Sequence, residues 1–74
     1  MDTPKIIEII SNTISIDKSK ITPETKLTDL QIDSLDMVEL ALAFEAELET
    51  NIPDESISNF KTVQNIIDFI NKIS

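Results

Sequence analysis

The stretch Ile32-Asp33-Ser34-Leu35-Asp36 contains the hydroxyl group on which we expect the function of this chain to depend. Asp33 is a good N-cap, because its carboxylate can accept hydrogen bonds from the unpaired N–H groups that open a helix. Asp36 falls in the same positively polarised first turn. Ser34 is therefore predicted near the first helical position, with its side chain in solvent on a rigid base that another macromolecule could reach. The alternative interpretation is an ordinary polar residue at a capped helix start, since a three-residue match is common by chance.

The composition argues against catalysis by this chain alone. Its 74 residues allow one small domain, predicted to span residues 1–74, and they include no Cys, no His and no Gly. The chain therefore lacks thiolate ligands, the side chain best suited to proton transfer near neutral pH, and the glycine loops that cradle phosphates. Asp29, Asp33 and Asp36 could bind a divalent metal only weakly, because the glycine and the terminal glutamate of an EF-hand loop are absent. We expect a non-catalytic protein without a metal site.

Negative charge is concentrated in one part of the chain. The formal net charge is −8, and residues 24–55 contain ten acidic residues against Lys26 alone, a formal −9. Such a field repels nucleic acid and anionic lipid but attracts basic patches on other proteins, although it could also be a solvated face that keeps a small protein soluble. No apolar run approaches the roughly 20 residues that cross a bilayer, and the N-terminus does not resemble a signal peptide. We expect a soluble monomer in the cytoplasm, or in an organelle if a transit peptide has been removed.

The elements that must position Ser34 are predicted to be helices. Thr3 and Pro4 are typical of an N-cap and a first helical residue. The helix that follows is predicted to bury a stripe of isoleucines at three- and four-residue steps: Ile6, Ile7, Ile10 and Ile14. Residues 16–32 lose this periodicity and are expected to form a long connection, with a single helical turn beginning at residues 22–24. Four apolar residues should pin this connection to the core: Ile21, Leu27, Leu30 and Ile32.

The second helix, residues 34–50, is predicted to have apolar side chains on two sides. At about 100° per residue, a core stripe contains Met37, Leu40, Ala41, Phe44 and Leu48. Nearly opposite lie Leu35, Leu42 and Ala46, with Glu39 and Glu49 close by and Val38 at the boundary. Exposed apolar residues are common on small proteins. Leucines ringed by carboxylates nevertheless favour a docking surface with an apolar centre and a charged rim.

Two further helices complete the predicted fold. The residue before Pro53 is pushed away from helical torsions, so the second helix should end before it, and a short helical turn is expected over residues 55–59. Thr62 should cap a last helix that has an apolar stripe and exposes Asp68, Asn71 and Lys72. The stripe contains Val63, Ile66, Ile67, Ile70 and Ile73. The predicted fold class is all-α, a small bundle of three main helices plus one short helix, with a long first loop.

The order of these features resembles the acyl carrier proteins over essentially the whole chain. The likeness is strongest from Leu30 through Asp33-Ser34-Leu35-Asp36-Met37-Val38-Glu39-Leu40 to Ile52-Pro53-Asp54-Glu55, and Thr62-Val63-Gln64 matches the start of the family's last helix. One residue departs from the family, in which glycine usually stands two residues before the aspartate of the motif. This chain has Gln31 there. If the backbone at Gln31 needs a positive φ, either the loop takes another shape or a non-glycine residue tolerates the strain.

The resemblance implies that Ser34 receives a 4′-phosphopantetheine arm from coenzyme A, and that the thiol of the arm carries acyl groups as thioesters. A phosphopantetheinyl transferase would attach the arm, and the enzymes of fatty acid biosynthesis would bind the acidic face through basic patches. Asp33 and Leu35 flank the attachment site. The residues that match the partner face are Asp36, Glu39, Leu42, Glu45 and Glu47. Members of this family also shelter a growing acyl chain in the apolar interior between their helices.

Two rival interpretations stay open at this point. The chain could carry another cargo, such as a polyketide, aminoacyl or peptidyl group, or it could be an acyl-carrier-like interaction module that is never modified. The dense negative charge favours a discrete fatty-acid carrier. An intact Ser34 behind Asp33 argues against the unmodified module.

Overall fold

The predicted all-α fold is confirmed by the computed structural model, which describes residues 1–73 other than the side chain of Asp54. Four α-helices follow one another along these described residues: α1 (Thr3–Ile14), α2 (Ser34–Leu48), α3 (Asp54–Ile57) and α4 (Val63–Ile73). Two short 3-10 helices, Lys18–Lys20 and Leu27–Leu30, interrupt the connection between α1 and α2. No helix in the described part of the chain is long and apolar enough to span a membrane.

Helix α1 begins one residue earlier than predicted. Its N-cap is Asp2, whose Oδ1 accepts a hydrogen bond from the Lys5 N–H at 3.0 Å, so Thr3 is the first helical residue and Pro4 the second. An aspartate is at least as good an N-cap as a threonine. Proline is harmless at either position, because the N–H groups of the first turn have no partner within the helix.

The buried stripe of α1 also differs from its prediction. Ile6 and Ile10 are buried as expected, but Ile9 is buried too, while Ile7 and Ile14 are half-buried. The core therefore covers α1 along a wider face than the predicted stripe, and it is centred closer to Ile9.

The long connection is pinned to the core as predicted, since Ile21 and Leu27 are buried and Leu30 and Ile32 are half-buried against the core. The prediction of a helical turn at residues 22–24 is wrong. Thr22 and Thr25 instead close a turn, in which the Thr25 N–H donates to the Thr22 carbonyl and the Thr22 N–H donates to the Thr25 hydroxyl, each at 3.0 Å. These two local hydrogen bonds, one of which uses the Thr25 side chain, replace the hydrogen bonds of a helical turn.

The connection is also tied to the start of α4 by backbone hydrogen bonds. The Val63 N–H donates to the Thr25 carbonyl at 2.9 Å, the Gln64 N–H donates to the Pro23 carbonyl at 2.8 Å, and the Leu27 N–H donates to the Lys61 carbonyl at 2.9 Å. The first N–H groups of a helix have no partner within it. The connection therefore satisfies two of these groups in α4.

Thr62 caps α4 as predicted. Its hydroxyl accepts from the Asn65 N–H at 3.3 Å, and the Asn65 side chain accepts in return from the Thr62 N–H at 3.1 Å. This reciprocal pair has the form of a capping box.

The core lies between α1, α2 and α4 and is entirely apolar among the described side chains. Its buried members are Ile6, Ile9, Ile10, Ile21, Leu27, Leu40, Ala41, Phe44, Ile52, Ile57, Val63, Ile66, Ile67 and Ile70. Two predicted core residues, Met37 and Leu48, are half-buried at its edge. Ile73 is the one predicted stripe residue that the structure exposes, because it lies in the last turn of α4, beyond the core.

Helix α2 ends slightly earlier than predicted, and helix α3 begins slightly earlier than predicted. Helix α2 stops at Leu48, because Glu49 is in the left-handed conformation with φ 53°. Helix α3 covers Asp54–Ile57, where the sequence predicted residues 55–59, and its start follows Pro53 directly. Ile52 and Ile57 are buried on either side of this start and hold α3 against the core.

Gln31 has a positive φ, the case considered in the sequence analysis for this non-glycine residue. Its φ is 59° and its ψ is 32°, and it ends the 3-10 helix Leu27–Leu30. The Gln31 N–H donates to the Thr28 carbonyl at 3.1 Å, and the Ile32 N–H donates to the Leu27 carbonyl at 3.1 Å. Of the two alternatives, the loop therefore keeps the turn and tolerates a non-glycine residue in it.

We predict that Gln31→Gly raises the free energy of unfolding by about 0.5–1 kcal/mol, because glycine adopts a positive φ without a Cβ penalty. The matched control is Asp29→Gly, inside the same 3-10 helix. Asp29 does not have a positive φ. Asp29→Gly should therefore lower the free energy of unfolding. Urea denaturation followed by circular dichroism measures both changes. Equal effects of the two substitutions would contradict the backbone argument.

We also predict that Ile10→Val lowers the free energy of unfolding by about 0.5–1.5 kcal/mol, through loss of one buried methylene. Ile10 is fully buried, whereas Ile73 is 37% exposed. Ile73→Val should therefore change stability by no more than about 0.5 kcal/mol. The same denaturation experiment compares them. A larger loss at Ile73 than at Ile10 would mean that the assigned core is wrong.

Candidate functional site

Ser34 is the first residue of α2, and its side chain is exposed, as the sequence predicts. Asp33 is the N-cap, and its Oδ1 accepts a hydrogen bond from the Asp36 N–H at 2.9 Å. Asp36 completes a capping box, because its Oδ2 accepts from the Asp33 N–H at 3.3 Å. The two carboxylates thereby fix the backbone on both sides of Ser34, and the hydroxyl projects from an ordered helix start.

The carboxylates nearest to Ser34 are engaged with the backbone around it and not with its hydroxyl. The two nearest carboxylates in sequence, Asp33 and Asp36, each accept a backbone N–H of the capping box. The chain contains no histidine. A serine hydroxyl is a weak nucleophile unless an adjacent base activates it. Among the described side chains, none is hydrogen-bonded to the Ser34 hydroxyl as such a base would be.

A groove of about 890 Å³ opens beside Ser34. Its apolar lining comes from α2, from α3 and from the segments before α2 and α4: Leu27, Ile32, Met37, Val38, Ile57 and Phe60. Its polar lining consists of Lys26, Thr28, Asp33, Ser34, Ser58, Lys61 and Thr62. A groove of this size that is lined by both kinds of side chain can hold a small flexible group against the protein.

The interior behind the groove is nearly filled. A cavity of about 10 Å³ lies between α2, α3 and α4, and Met37, Ile57 and Phe60 line both this cavity and the groove. Phe60 packs against Phe69 with ring centroids 5.5 Å apart. Such a cavity has room for about one water molecule. The space for a bound chain of several carbons is therefore in the groove, unless the side chains between groove and cavity move apart.

The outer side of α2 carries the apolar and acidic residues that were predicted there. We call this surface the α2 face, and it comprises Leu35, Asp36, Val38, Glu39, Leu42, Ala46, Glu47 and Glu49. Leu35 is 65% exposed and Leu42 60% exposed, which is high for leucine, and Val38 is 42% exposed. Glu39, Glu47 and Glu49 are exposed beside them, while Asp36 is half-buried by its capping role. The α2 face thus has an apolar centre bordered by carboxylates.

Glu45 lies in a different environment from the other carboxylates predicted to bind partners. Its side chain is half-buried, and Oε2 accepts a hydrogen bond from the Ile52 N–H at 2.7 Å. Charged acceptors make the stronger hydrogen bonds of proteins. Glu45 therefore fastens the connection between α2 and α3, a structural role that the sequence analysis did not assign to it.

The described residues contain no group of three or more acidic side chains placed to hold a metal ion. Asp29, Asp33 and Asp36, the carboxylates considered for weak metal binding, do not converge into such a group.

Sequence reasoning missed the residues that reach the groove from outside α2. Lys26, Phe60 and Lys61 line it although they lie far from Ser34 along the chain. The one signal in the sequence was Lys26, the only cation between residues 24 and 55. No periodic pattern links Lys26 to Ser34, because its place on the groove depends on how the connection packs against α4.

Comparison with known proteins gives consistent matches over nearly the whole chain. A family model described as "Phosphopantetheine attachment site" matches residues 4–70. An acyl carrier protein of Syntrophobacter fumaroxidans is 45% identical over 69 residues, which are 92% of this chain and 85% of the relative. An acyl carrier protein of Clostridium perfringens is 48% identical over 67 residues, which are 89% of this chain and 88% of the relative.

The fold is similar to that of a solved acyl carrier protein. The crystal structure of an acyl carrier protein from Thermotoga maritima superposes with a TM-score of 0.80 at 33% sequence identity, covering 93% of this chain and 81% of the other. Together with the sequence matches and the family model, this likeness establishes that the chain belongs to the acyl carrier protein family, whose model is that of a phosphopantetheine attachment site.

Proposed function

We propose that this chain carries acyl groups for fatty acid biosynthesis, as thioesters on a 4′-phosphopantetheine arm attached to Ser34. The observation that carries the proposal is the exposed Ser34 hydroxyl, held by the capping box at the edge of the groove. Membership of the acyl carrier protein family supports the chemistry. The bacterial origin of the relatives supports a cytoplasmic site of action.

The residues around Ser34 fit such an arm. The hydroxyl is accessible, and the adjoining groove offers both apolar and polar side chains to a flexible group that contains amides and methyl groups. When bound, the arm supplies the thiol that this chain, which has no cysteine, does not possess.

For attachment of the arm, this chain has to provide only the Ser34 hydroxyl in a fixed position. The Ser34 oxygen forms a bond to the phosphorus of coenzyme A that carries the pantetheine, the phosphoanhydride bond breaks, and the nucleotide leaves. The hydroxyl proton goes to a base of the phosphopantetheinyl transferase. Positioning and metal-assisted charge neutralisation dominate phosphoryl transfer. The transferase would supply the metal, and the capping box would supply the fixed position of Ser34.

The α2 face is the proposed docking surface for the transferase and for the enzymes that load and elongate the acyl group. Leu35 and Leu42 offer an exposed apolar centre, and Glu39 and Glu47 offer carboxylates to basic patches. Each exposed ion pair contributes only about 0.2–1 kcal/mol. Such contacts suit a carrier that must leave one enzyme before it meets the next. Glu45 can contribute through Oε1, since Oε2 is bound to the Ile52 N–H.

We predict that Ser34→Ala abolishes attachment of the arm when the protein is incubated with a broad-specificity phosphopantetheinyl transferase, coenzyme A and magnesium. Ser34 is not the N-cap, so the helical circular dichroism spectrum should stay nearly unchanged. The measurement is intact mass, with fragmentation to locate the added group. Ser58→Ala is the control, because Ser58 lines the same groove and is also exposed. Attachment to the Ser34→Ala variant would disprove the site. A folded native protein that stays unmodified beside a modified control carrier would favour the interaction module.

We also predict that Glu39→Lys combined with Leu42→Ala lowers kcat/KM for arm attachment about tenfold at low salt, through lost charge attraction and lost apolar contact. The loss should shrink as salt rises, because surface charges are screened. Asp68→Lys on α4 is the control for the change in net charge, since Asp68 is exposed away from the α2 face. An equal loss in the Asp68→Lys variant would assign the effect to net charge and remove the case for a docking surface.

A further inference from the structure

Two lysines line the groove beside Ser34. Lys26 is the only cation among residues 24–55, the segment that contains ten acidic residues, and it lies in this groove. Lys61, which precedes the cap of α4, lines the same groove. The side chains of both residues are exposed. Positive charge is thus placed on the groove that Ser34 also lines.

Backbone hydrogen bonds hold the two lysines near each other. Lys26 and Thr62 form an isolated antiparallel bridge, and the Leu27 N–H donates to the Lys61 carbonyl at 2.9 Å. Among the described side chains, neither ammonium group has a carboxylate within salt-bridge distance. The fold therefore places the backbones of both lysines on the same groove wall, and their exposed ammonium groups are available to an anion in the groove.

Charge at the start of α2 provides a reason for this arrangement. Ser34 lies between Asp33 and Asp36, so a phosphodiester on its oxygen would add a third negative charge to that turn. Repulsion from the two carboxylates opposes the attraction that the helix N-terminus offers to the phosphodiester. Lysine is a common partner of phosphate oxygens as a compact point charge. Two lysines on the groove wall can offset the repulsion.

We propose that Lys26 and Lys61 bind the phosphodiester of the arm and thereby keep the arm in the groove when no partner enzyme is bound. The proposal rests on the proposed attachment to Ser34. Binding through exposed ammonium groups is screened by salt. A basic patch of a docking enzyme can compete with the lysines for the same phosphodiester, so docking would release the arm.

The test uses the protein with the arm attached and its thiol free, so that the phosphodiester is the only anion of the arm. Phosphorus-31 NMR reports its chemical shift and relaxation at low and high salt. In the native protein, raising salt should shift the signal and sharpen it. The double variant Lys26→Gln/Lys61→Gln should give the high-salt signal already at low salt, with the bound fraction reduced about two- to fivefold relative to the free one.

The control is Lys18→Gln/Lys20→Gln, which removes the same charge from a 3-10 helix outside the groove. It should behave like the native protein. Identical phosphorus signals in all three proteins, with the arm located on Ser34 by mass, would overturn the lysine contact and leave the carrier function standing. Failure of the arm to attach to the native protein would overturn the carrier function itself, and this proposal with it.

Discussion

The pairing of the first connection with the start of α4 is the interaction on which the rest of the site depends. Carbonyl groups of Pro23 and Thr25 accept the first N–H groups of α4, and the Leu27 N–H donates back to Lys61. Unpaired backbone groups at a buried helix start are costly, so this pairing stabilises both partners. It also forms one wall of the groove, and it brings Lys26 and Lys61 to the same groove as Ser34.

The two sides of α2 have different environments, one in the core and one in solvent. Leu40, Ala41 and Phe44 are buried and attach the helix to the core, while Leu35 and Leu42 stay in solvent. Because the helix is secured by its core side and its capping box, the other side can keep exposed apolar residues without loss of the fold. The proposed docking surface requires this combination, in which one side of the helix is held by the core and the other side is exposed.

The absence of glycine has a physical consequence at helix ends. Three non-glycine residues, Ser15, Gln31 and Glu49, end α1, the second 3-10 helix and α2 in the left-handed conformation. Glycine would adopt this conformation without steric cost. The turn before Asp33 forms with Gln31 in the left-handed conformation, so the position of the capping box does not require glycine at residue 31.

The sequence by itself determined the helices, two of the caps and the exposed position of Ser34. Apolar spacing within a few residues sets which side of a helix is buried. Asp33 and Thr62 cap their helices by accepting from the N–H groups of Asp36 and Asn65, which are close neighbours in the chain. The tertiary structure alone decided that Ile9 is buried, that Glu45 holds Ile52, and that two lysines line the groove of Ser34. These features arise where segments distant in sequence pack together, and no local hydrogen bond or period encodes such contacts.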